Sequence, residues 1–418
     1  MTGSRPWRQA TKPRITPDDA KFAEFTGVVN TRSRKDIGLK ALYVGDNVVI
    51  SDTKKVTRRD GYSPYISTGT VWAAYGGTGE LYVVDNGVLQ HVASPTDKRT
   101  LTSGLAHKPY TWDTINGDAY FANGVDAGIT RGDEYLPWRL NVPAFSAVAA
   151  VSAASSDASL NMGEKYAQAT FRVCATYETA DGRETAPSEI VSLVAAPLTN
   201  LIRVSVAAGY ARTNIYSTEA DGTVFRLVAS TTATTVTFNP ARGGREFTTF
   251  NTASLPDGVT HVAFVGGRCF VGQYLQSLKQ SVVWKSKAFA YHLFDTERDF
   301  ITVAGELALL LWNNKGVLIG TDKNIYQWHE DTEELELLVN YGVMPGVAGD
   351  RDAESVAYFW TQRGICKAYP FENLTEKDVS MPPGARAVAS MVYLNGMMQF
   401  VAVTQGSSTP FNKRKERT

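Results

Sequence analysis

Cysteine is scarce in this chain. Cys174, Cys269 and Cys366 stand far apart in apolar runs, so neither a disulfide framework nor a Cys-x-x-Cys zinc site fits, and all three are expected to be buried and inert. The histidines, His91, His107, His261, His292 and His329, show no paired ligand spacing, and no metal or cofactor is expected. A Gly-x-Ser-x-Gly elbow and a Gly-x-x-x-x-Gly-Lys loop are missing too, which removes two common signatures of nucleophilic catalysis and phosphate binding. No run approaches 18 apolar residues, and Arg5, Arg8, Lys12 and Arg14 interrupt any secretory core. Synthesis in a cytoplasm without a membrane anchor is therefore the expectation.

Net charge is absent as well: 42 Lys and Arg balance 42 Asp and Glu, so no overall basic excess marks a dedicated nucleic-acid binder. The balance is uneven along the chain. Residues 1–60 hold 13 basic against 7 acidic residues, an excess of six, and the last eight residues add three, which leaves residues 61–410 at nine negative. Basic ends on a mildly acidic body suit docking on an acidic partner or on phosphate, with solvated tails as the plain alternative.

Helical signals are few. Thr16-Pro17-Asp18-Asp19 ahead of Ala20–Phe25 combines a cap, a first-turn proline and two acids that complement the helix dipole, which predicts one short helix. Elsewhere short β-branched and aromatic runs alternate with Gly, Asn and Asp turns, and the chain reads as all-β. Hairpins are predicted at 41–44 with 48–51, 81–84 with 88–92, 261–265 with 269–273, 307–312 with 317–320, 356–360 with 365–369, and 388–394 with 397–403. An aromatic strand such as Ile325–Trp328 follows some of them. The unit returns loosely every 40–50 residues, a period typical of β-propeller blades, although no Trp-Asp or kelch signature is present.

The middle differs. From Pro143 to Ala253 the composition shifts to Ala, Thr, Ser and Val, beginning with the low-complexity stretch Ala147–Ser159. Tyr166–Tyr177 alternates, with Phe171, Val173, Ala175 and Tyr177 on one face, and further strands are predicted at 202–206, 212–217, 225–229 and 235–238. Six or seven strands in about 100 residues predict an immunoglobulin-like sandwich inserted between blade-like hairpins. The expected organisation is an N-terminal arm over 1–40, propeller over 41–142, sandwich over 143–253, propeller over 254–405 and a basic tail over 406–418. About 265 propeller residues at about 45 per blade give about six blades, with five to seven compatible.

Two segments then carry a resemblance. YAQATFRVCATYETADGRETAPSE (166–189) and ARTNIYSTEADGTVFRLV (211–228) resemble the fibronectin type III pattern of an aromatic strand, a glycine turn and a strand pair. With the propeller hairpins and Val56-Thr57-Arg58-Arg59-Asp60-Gly61-Tyr62, the chain is similar to the β-propeller nozzle proteins of short-tailed bacteriophages, including the packaged-DNA stabilisation group. A common family form has Arg-Pro-Gly-Tyr where this chain has Arg59-Asp60-Gly61-Tyr62. The resemblance implies a structural virion protein, made in the host cytoplasm. It would form a sixfold ring of its own copies below the head-to-tail adaptor and meet tail fibre, spike or needle proteins. Packaged DNA would pass through the ring without sequence recognition.

Propellers also host glycosidases, so carbohydrate binding or cleavage by a propeller with an accessory sandwich is the competing reading. Asp295-x-Glu297-x-Asp299 and Asp350-x-Asp352-x-Glu354 would each share a face if they lay on strands, but no sialidase box accompanies them, and no catalytic residue is assigned. Arg131-Gly132-Asp133 and Asn373-Leu374-Thr375 are short enough to arise by chance. Six of the eight tryptophans recur at comparable places in the hairpin units, which fits packing between blades better than a sugar platform. The acidic run 330–336 reads as a solvated edge, with the lining of a negatively charged passage as its functional alternative. The candidate docking residues are Arg5, Arg8, Lys12, Arg14, Arg32, Arg34, Lys35, Arg58 and Arg59: long cations in a Pro-containing stretch are poor core material.

Overall fold

The computed structural model describes residues 27–32, 36, 41–43, 48–50, 55–58, 65–66, 69–77, 79–151, 168–195, 201–240, 243–379, 384–394 and 397–405. Among them there is no α-helix, and the chain is all-β. The short helix expected at 16–25 lies outside the described residues. Near the N-terminus, β1 (Gly27–Val28) pairs in parallel with β2 (Ala41–Leu42), and β3 (Val48–Ile50) pairs with β4 (Val56–Arg58). The predicted 41–51 hairpin is thereby corrected: its two arms belong to different sheets, β2 pairing with the preceding β1 and β3 with the following β4.

Two meanders follow. The first is β5 (Val71–Tyr75), β6 (Leu81–Asp85), β7 (Val88–Ser94) and β8 (Asp97–Ser103); the second is β9 (Thr111–Ile115), β10 (Asp118–Ala122), β11 (Ala127–Arg131) and β12 (Glu134–Pro137). Asn86-Gly87 and Asn116-Gly117 turn β6 into β7 and β9 into β10 with φ of 49° and 79°, and of 54° and 86°. Such tight hairpins need two successive positive φ values, which Asn and Gly tolerate.

The inserted region forms two sheets. Its strands are β13 (Ala147–Val151), β14 (Ala169–Glu178), β15 (Val191–Ala195), β16 (Leu201–Ser205), β17 (Arg212–Thr218), β18 (Phe225–Thr231) and β19 (Thr235–Phe238). One sheet runs β13-β16-β19 and the other β15-β14-β17-β18. The predicted face, Phe171, Val173, Ala175 and Tyr177, is buried with Ile202, Val204, Ile215 and Phe238 in the core between them. The strand order departs from that of an immunoglobulin constant domain. There the last strand stays beside its predecessor, whereas β19 crosses to the opposite sheet and pairs with β16.

Three more meanders and a hairpin complete the chain. The third sheet holds β20 (His261–Val265), β21 (Arg268–Leu275), β22 (Gln280–Lys287), β23 (Ala290–Phe294) and β24 (Phe300–Ala304), with β22 pairing both of the last two. The fourth holds β25 (Leu307–Asn313), β26 (Gly316–Thr321), β27 (Ile325–His329) and β28 (Leu335–Val339). After the short β29 (Gly346–Val347) comes the fifth, with β30 (Gly349–Arg351), β31 (Ala357–Thr361), β32 (Gly364–Ala368) and β33 (Glu372–Asn373). The hairpin of β34 (Arg386–Leu394) and β35 (Met397–Gln405) pairs in parallel with β29 through β34.

Central strands explain how the sheets stack. All six residues of β26 are buried. A strand alternates its side chains between two faces, and here each face meets a different neighbour. Val317 and Ile319 pack with Phe270 and Val283 of the third sheet, while Leu318 packs with Phe359 and Cys366 of the fifth. Likewise Phe121 joins Tyr82 and Val84 of the first sheet, and Tyr120 joins Phe264 and Val271 of the third. The result is a propeller-like succession of sheets packed face to face. Against the expectation of about six blades, it has five meanders and a sixth sector in which the β34–β35 hairpin pairs with the short β29. Among the described residues no strand pairing joins that hairpin to the first sheet.

The sandwich leaves and returns at one place, where the Ser254 hydroxyl donates to the Leu140 carbonyl at 2.7 Å. Replacing residues 143–252 by a short Gly-Ser bridge should leave the remaining sheets with a single cooperative urea transition, because closely spaced ends tolerate excision. A broad, non-cooperative transition would show that the sandwich is part of the propeller core.

Candidate functional site

The first strands of the five meanders, β5, β9, β20, β25 and β30, together with β34, wall a cavity of about 1300 Å³. Its centre is a carboxylate. Asp113 on β9 is buried, and its Oδ1 receives Arg351 Nη2 at 2.7 Å and the Thr114 amide at 2.8 Å. The other oxygen receives the Phe264 amide, from β20, at 2.8 Å. Burial pushes the Asp113 carboxyl upward, opposed by the Arg351 guanidinium and the two amides. That guanidinium also lies 4.3 Å from the Trp312 ring centroid, on β25. One acid thus connects the second, third, fourth and fifth sheets.

The network continues on both sides. Asp350 Oδ2 accepts the Met391 amide at 2.8 Å and the Ser390 hydroxyl at 3.0 Å, fastening the hairpin to β30. Toward the first sheet, Tyr75 stacks on Trp112 with centroids 5.2 Å apart, and burial raises its phenol well above the ordinary range. His261, buried on β20, has its titration lowered to about 4 by desolvation, and its Nδ1 lies 2.8 Å from Thr260 Oγ1. Charged residues along the wall are Lys108, Arg351 and Arg386 against Asp113, Asp350 and Asp352, so the two signs balance. Such a wall gives no field to gather a polyanion.

The sequence-predicted acids divide. Asp295 and Asp299 lie in a turn after β23, where Lys287 Nζ approaches them at 3.6 and 3.0 Å, and Glu297 is exposed between them. They do not form the shared strand face anticipated from their spacing, because the Arg298 and Asp299 amides close the turn on the Asp295 carbonyl. Asp352 Oδ1 caps the Glu354 and Val356 amides in another turn, which leaves Asp350 alone of that trio in the network. The acidic run falls on the loop into β28, the outermost strand of the fourth sheet, and not on the cavity. Solvation explains it.

Among the described residues no group of three or more His, Cys, Asp or Glu is placed to hold a metal ion. No helix there is long and apolar enough to cross a membrane. All three cysteines are free and buried. The Arg-Gly-Asp tripeptide is used internally: Arg131 pairs with Asp118, and Asp133 accepts from Arg99 and from His91 Nδ1, the latter at 2.7 Å. Asn373 Oδ1 caps the Thr375 and Glu376 amides. Tryptophans lie where packing between sheets was expected, with Trp72 and Trp112 in the first core, Trp138 and Trp284 in the second, Trp328 in the third and Trp360 in the fourth.

Of the docking candidates, Arg32 and Arg58 are exposed. Arg32 closely follows Asn30 and Thr31, which bond to the Asp378 and Lys377 carbonyls beside the fifth sheet. Arg5, Arg8, Lys12, Arg14, Arg34, Lys35 and Arg59 lie outside the described residues. The Asp113–Arg351 pair, separated by 238 residues, was missed from sequence. An acid in the middle of a short strand carries no signal that names a partner so far away.

No family model matches the chain, and no curated protein matches it either. Solved structures resemble it weakly. The extracellular domain of the two component system BT4673 from B. thetaiotaomicron has a TM-score of 0.31 at 11% identity, covering 78% of this chain and 37% of that one. BBS1N, solved with ARL6DN, gives 0.32 at 13% identity over 81% and 90% of the two chains. A catalytically inactive virginiamycin B lyase from Staphylococcus aureus gives 0.30 at 10% identity over 78% and 88%. Likenesses this low assign this chain no activity.

Removing one member of the central pair should be costly. Arg351→Met leaves Asp113 buried without its counter-charge and should lower unfolding stability by about 3–5 kcal/mol. Asp113→Asn should cost less, since Arg351 is partly exposed and can hydrate. Equal losses in urea titrations would contradict the asymmetry. His261 gives a pH test. Its folded titration, about 4, lies below the unfolded value of 6.5, so the unfolded chain binds the extra proton. Its contribution is intact above pH 6.5 and is lost as pH falls to about 4, on the order of 3 kcal/mol. His292, lowered first by burial, acts in the same sense. His261→Gln should flatten the stability profile over that window.

Proposed function

We propose that the protein is a structural component of a short bacteriophage tail: copies of the chain form a closed ring below the head-to-tail adaptor, retain packaged DNA and let it pass during ejection. The observation that carries this reading is the joining of propeller-like sheets to a sandwich at one point, with the fibronectin-like sequence 211–228 extending over β17 and into β18. In this reading the sandwich is a fibronectin III-like module with a displaced last strand. DNA passes between subunits, and the balanced charge of the cavity within each subunit suits a packing core. Adaptor, fibre, spike or needle proteins dock on the ring, and the basic N-terminal residues Arg5, Arg8, Lys12 and Arg14 contribute mainly by charge. Closure of one heterologous contact into a ring is the physical requirement.

The sandwich is held by polar contacts that would fix its attitude in such a ring. Arg183 Nη1 donates to the Pro137 carbonyl at 2.9 Å, and His292 Nε2 lies 2.7 Å from the Glu184 carbonyl. In the competing reading of a carbohydrate-cleaving propeller, the cavity acids Asp113 and Asp350 are already engaged within the wall. Turnover of any glycan by the purified chain, abolished by Asp350→Asn with the fold intact, would favour that reading.

Negative-stain images of the concentrated chain should show closed rings of sixfold symmetry. Deleting residues 2–14 should leave the urea transition unchanged while reducing incorporation into tails, and added salt should weaken docking of the full chain. Normal incorporation of the deleted chain at every salt concentration would remove the arm from the reading.

A further inference from the structure

The hairpin of β34 and β35 is unlike the other strands at the molecule's surface. It is nine residues on each arm, paired without a register shift, and Arg386 is its single charged residue. Val388 and Val403 face each other across it at 60% and 67% exposure where they line the cavity, and Tyr393, outside the cavity lining, faces Met398 at 71% and 44%. Among the described residues β35 has no partner on its outer edge. Open edges are ordinarily blunted by lysine, proline, bulges or brevity, and this one has none of them.

The two ends of the sequence do not supply a cover. Residues 1–26 contain Pro6, Pro13 and Pro17 and are punctuated by charge, and 406–418 contain Pro410 and five charged residues, so neither supplies a nine-residue apolar strand. The tail does supply charge: eight residues after β35 begins Lys413-Arg414-Lys415-Glu416-Arg417. An opposite surface exists on the fourth sheet. Among the described residues β28 is also an edge strand, and Leu335 and Leu337 on it are exposed at 39% and 51%. The run beside them holds Glu330, Asp331, Glu333, Glu334 and Glu336; Glu333 takes Lys285 Nζ at 3.2 Å and Glu336 lies 2.8 Å from His329 Nε2, so the run keeps an acidic excess.

We propose that the β35 edge and the basic tail behind it dock on the β28 edge of a second copy of this chain, strand against strand, with the tail meeting the acidic run. Two different surfaces meet, so the contact is heterologous and propagates from copy to copy, as a ring demands. This inference rests on the ring reading above and names its seam.

The test uses the full chain, first by sedimentation over a range of concentrations. The variants Asp331→Lys and Glu334→Lys, combined, should raise the concentration for half-assembly at least tenfold, and reversing Lys413, Arg414 and Lys415 to Glu in the same chain should restore it. Next, a Val403→Cys chain is mixed under oxidation with a Leu337→Cys chain. A disulfide-linked heterodimer should form from the mixture, and little dimer from either alone, since the native cysteines are buried. A chain that sediments as a monomer at every concentration overturns the ring reading and this seam together. Rings that form without the cross-link and are indifferent to the charge reversals overturn the seam alone. A Val403→Cys/Leu337→Cys double variant that closes only within one chain shows that the edge is covered internally, which also overturns it.

Discussion

Everything around the cavity depends on one buried carboxylate having a complete set of partners. Asp113 sits on the innermost strand of the second sheet, takes a backbone amide from the third and a guanidinium from the fifth, and that guanidinium rests on a tryptophan of the fourth. An ionised acid is expensive to bury, and the penalty is met here by three hydrogen bonds, from Arg351 and from the Phe264 and Thr114 amides. Because the Phe264 amide and the Arg351 guanidinium come from two other sheets, satisfying the charge fixes the sheets' mutual positions. Apolar packing between sheets is directionless by comparison and tolerates sliding; the hub does not.

Around the hub, the sheets are held by alternation alone. Each central strand sends odd and even residues to different neighbours, so a single sequence such as Val317-Leu318-Ile319 serves two cores at once. That is why these strands read as continuous apolar runs although the sheets are antiparallel, and why tryptophans gather between sheets. The sandwich obeys the other regime. Its strands bury one face, and the alternation of Phe171, Val173, Ala175 and Tyr177 is visible in the residues themselves.

Much of this was legible from sequence where the signal is local. Asn-Gly turns, β-branched runs and alternation located the later hairpins to within a residue or two, since turn chemistry and side-chain period act over a few positions. Pairing between distant segments was not legible. The 41–51 hairpin failed because β2 and β3 each have partners elsewhere, and β19 was found as a strand without any hint of which sheet it would join. The site was the least readable part. Asp113 and Arg351 have no local pattern, and the spaced acids at 295–299 attracted attention through a regularity that their turn erases.

The hub also bears on the order in which the molecule is made. Each meander closes on itself over about 25 to 45 residues of chain, so its contacts are local and form without a long search. The pairing of Asp113 with Arg351 must wait until β30 has been synthesised, by which time four complete meanders precede it. Until then a carboxylate destined for the interior remains accessible to water, and the nascent cavity stays wet. Final drying of the cavity wall is therefore coupled to completion of the fifth sheet, which makes the last third of the chain a checkpoint for the compactness of the first.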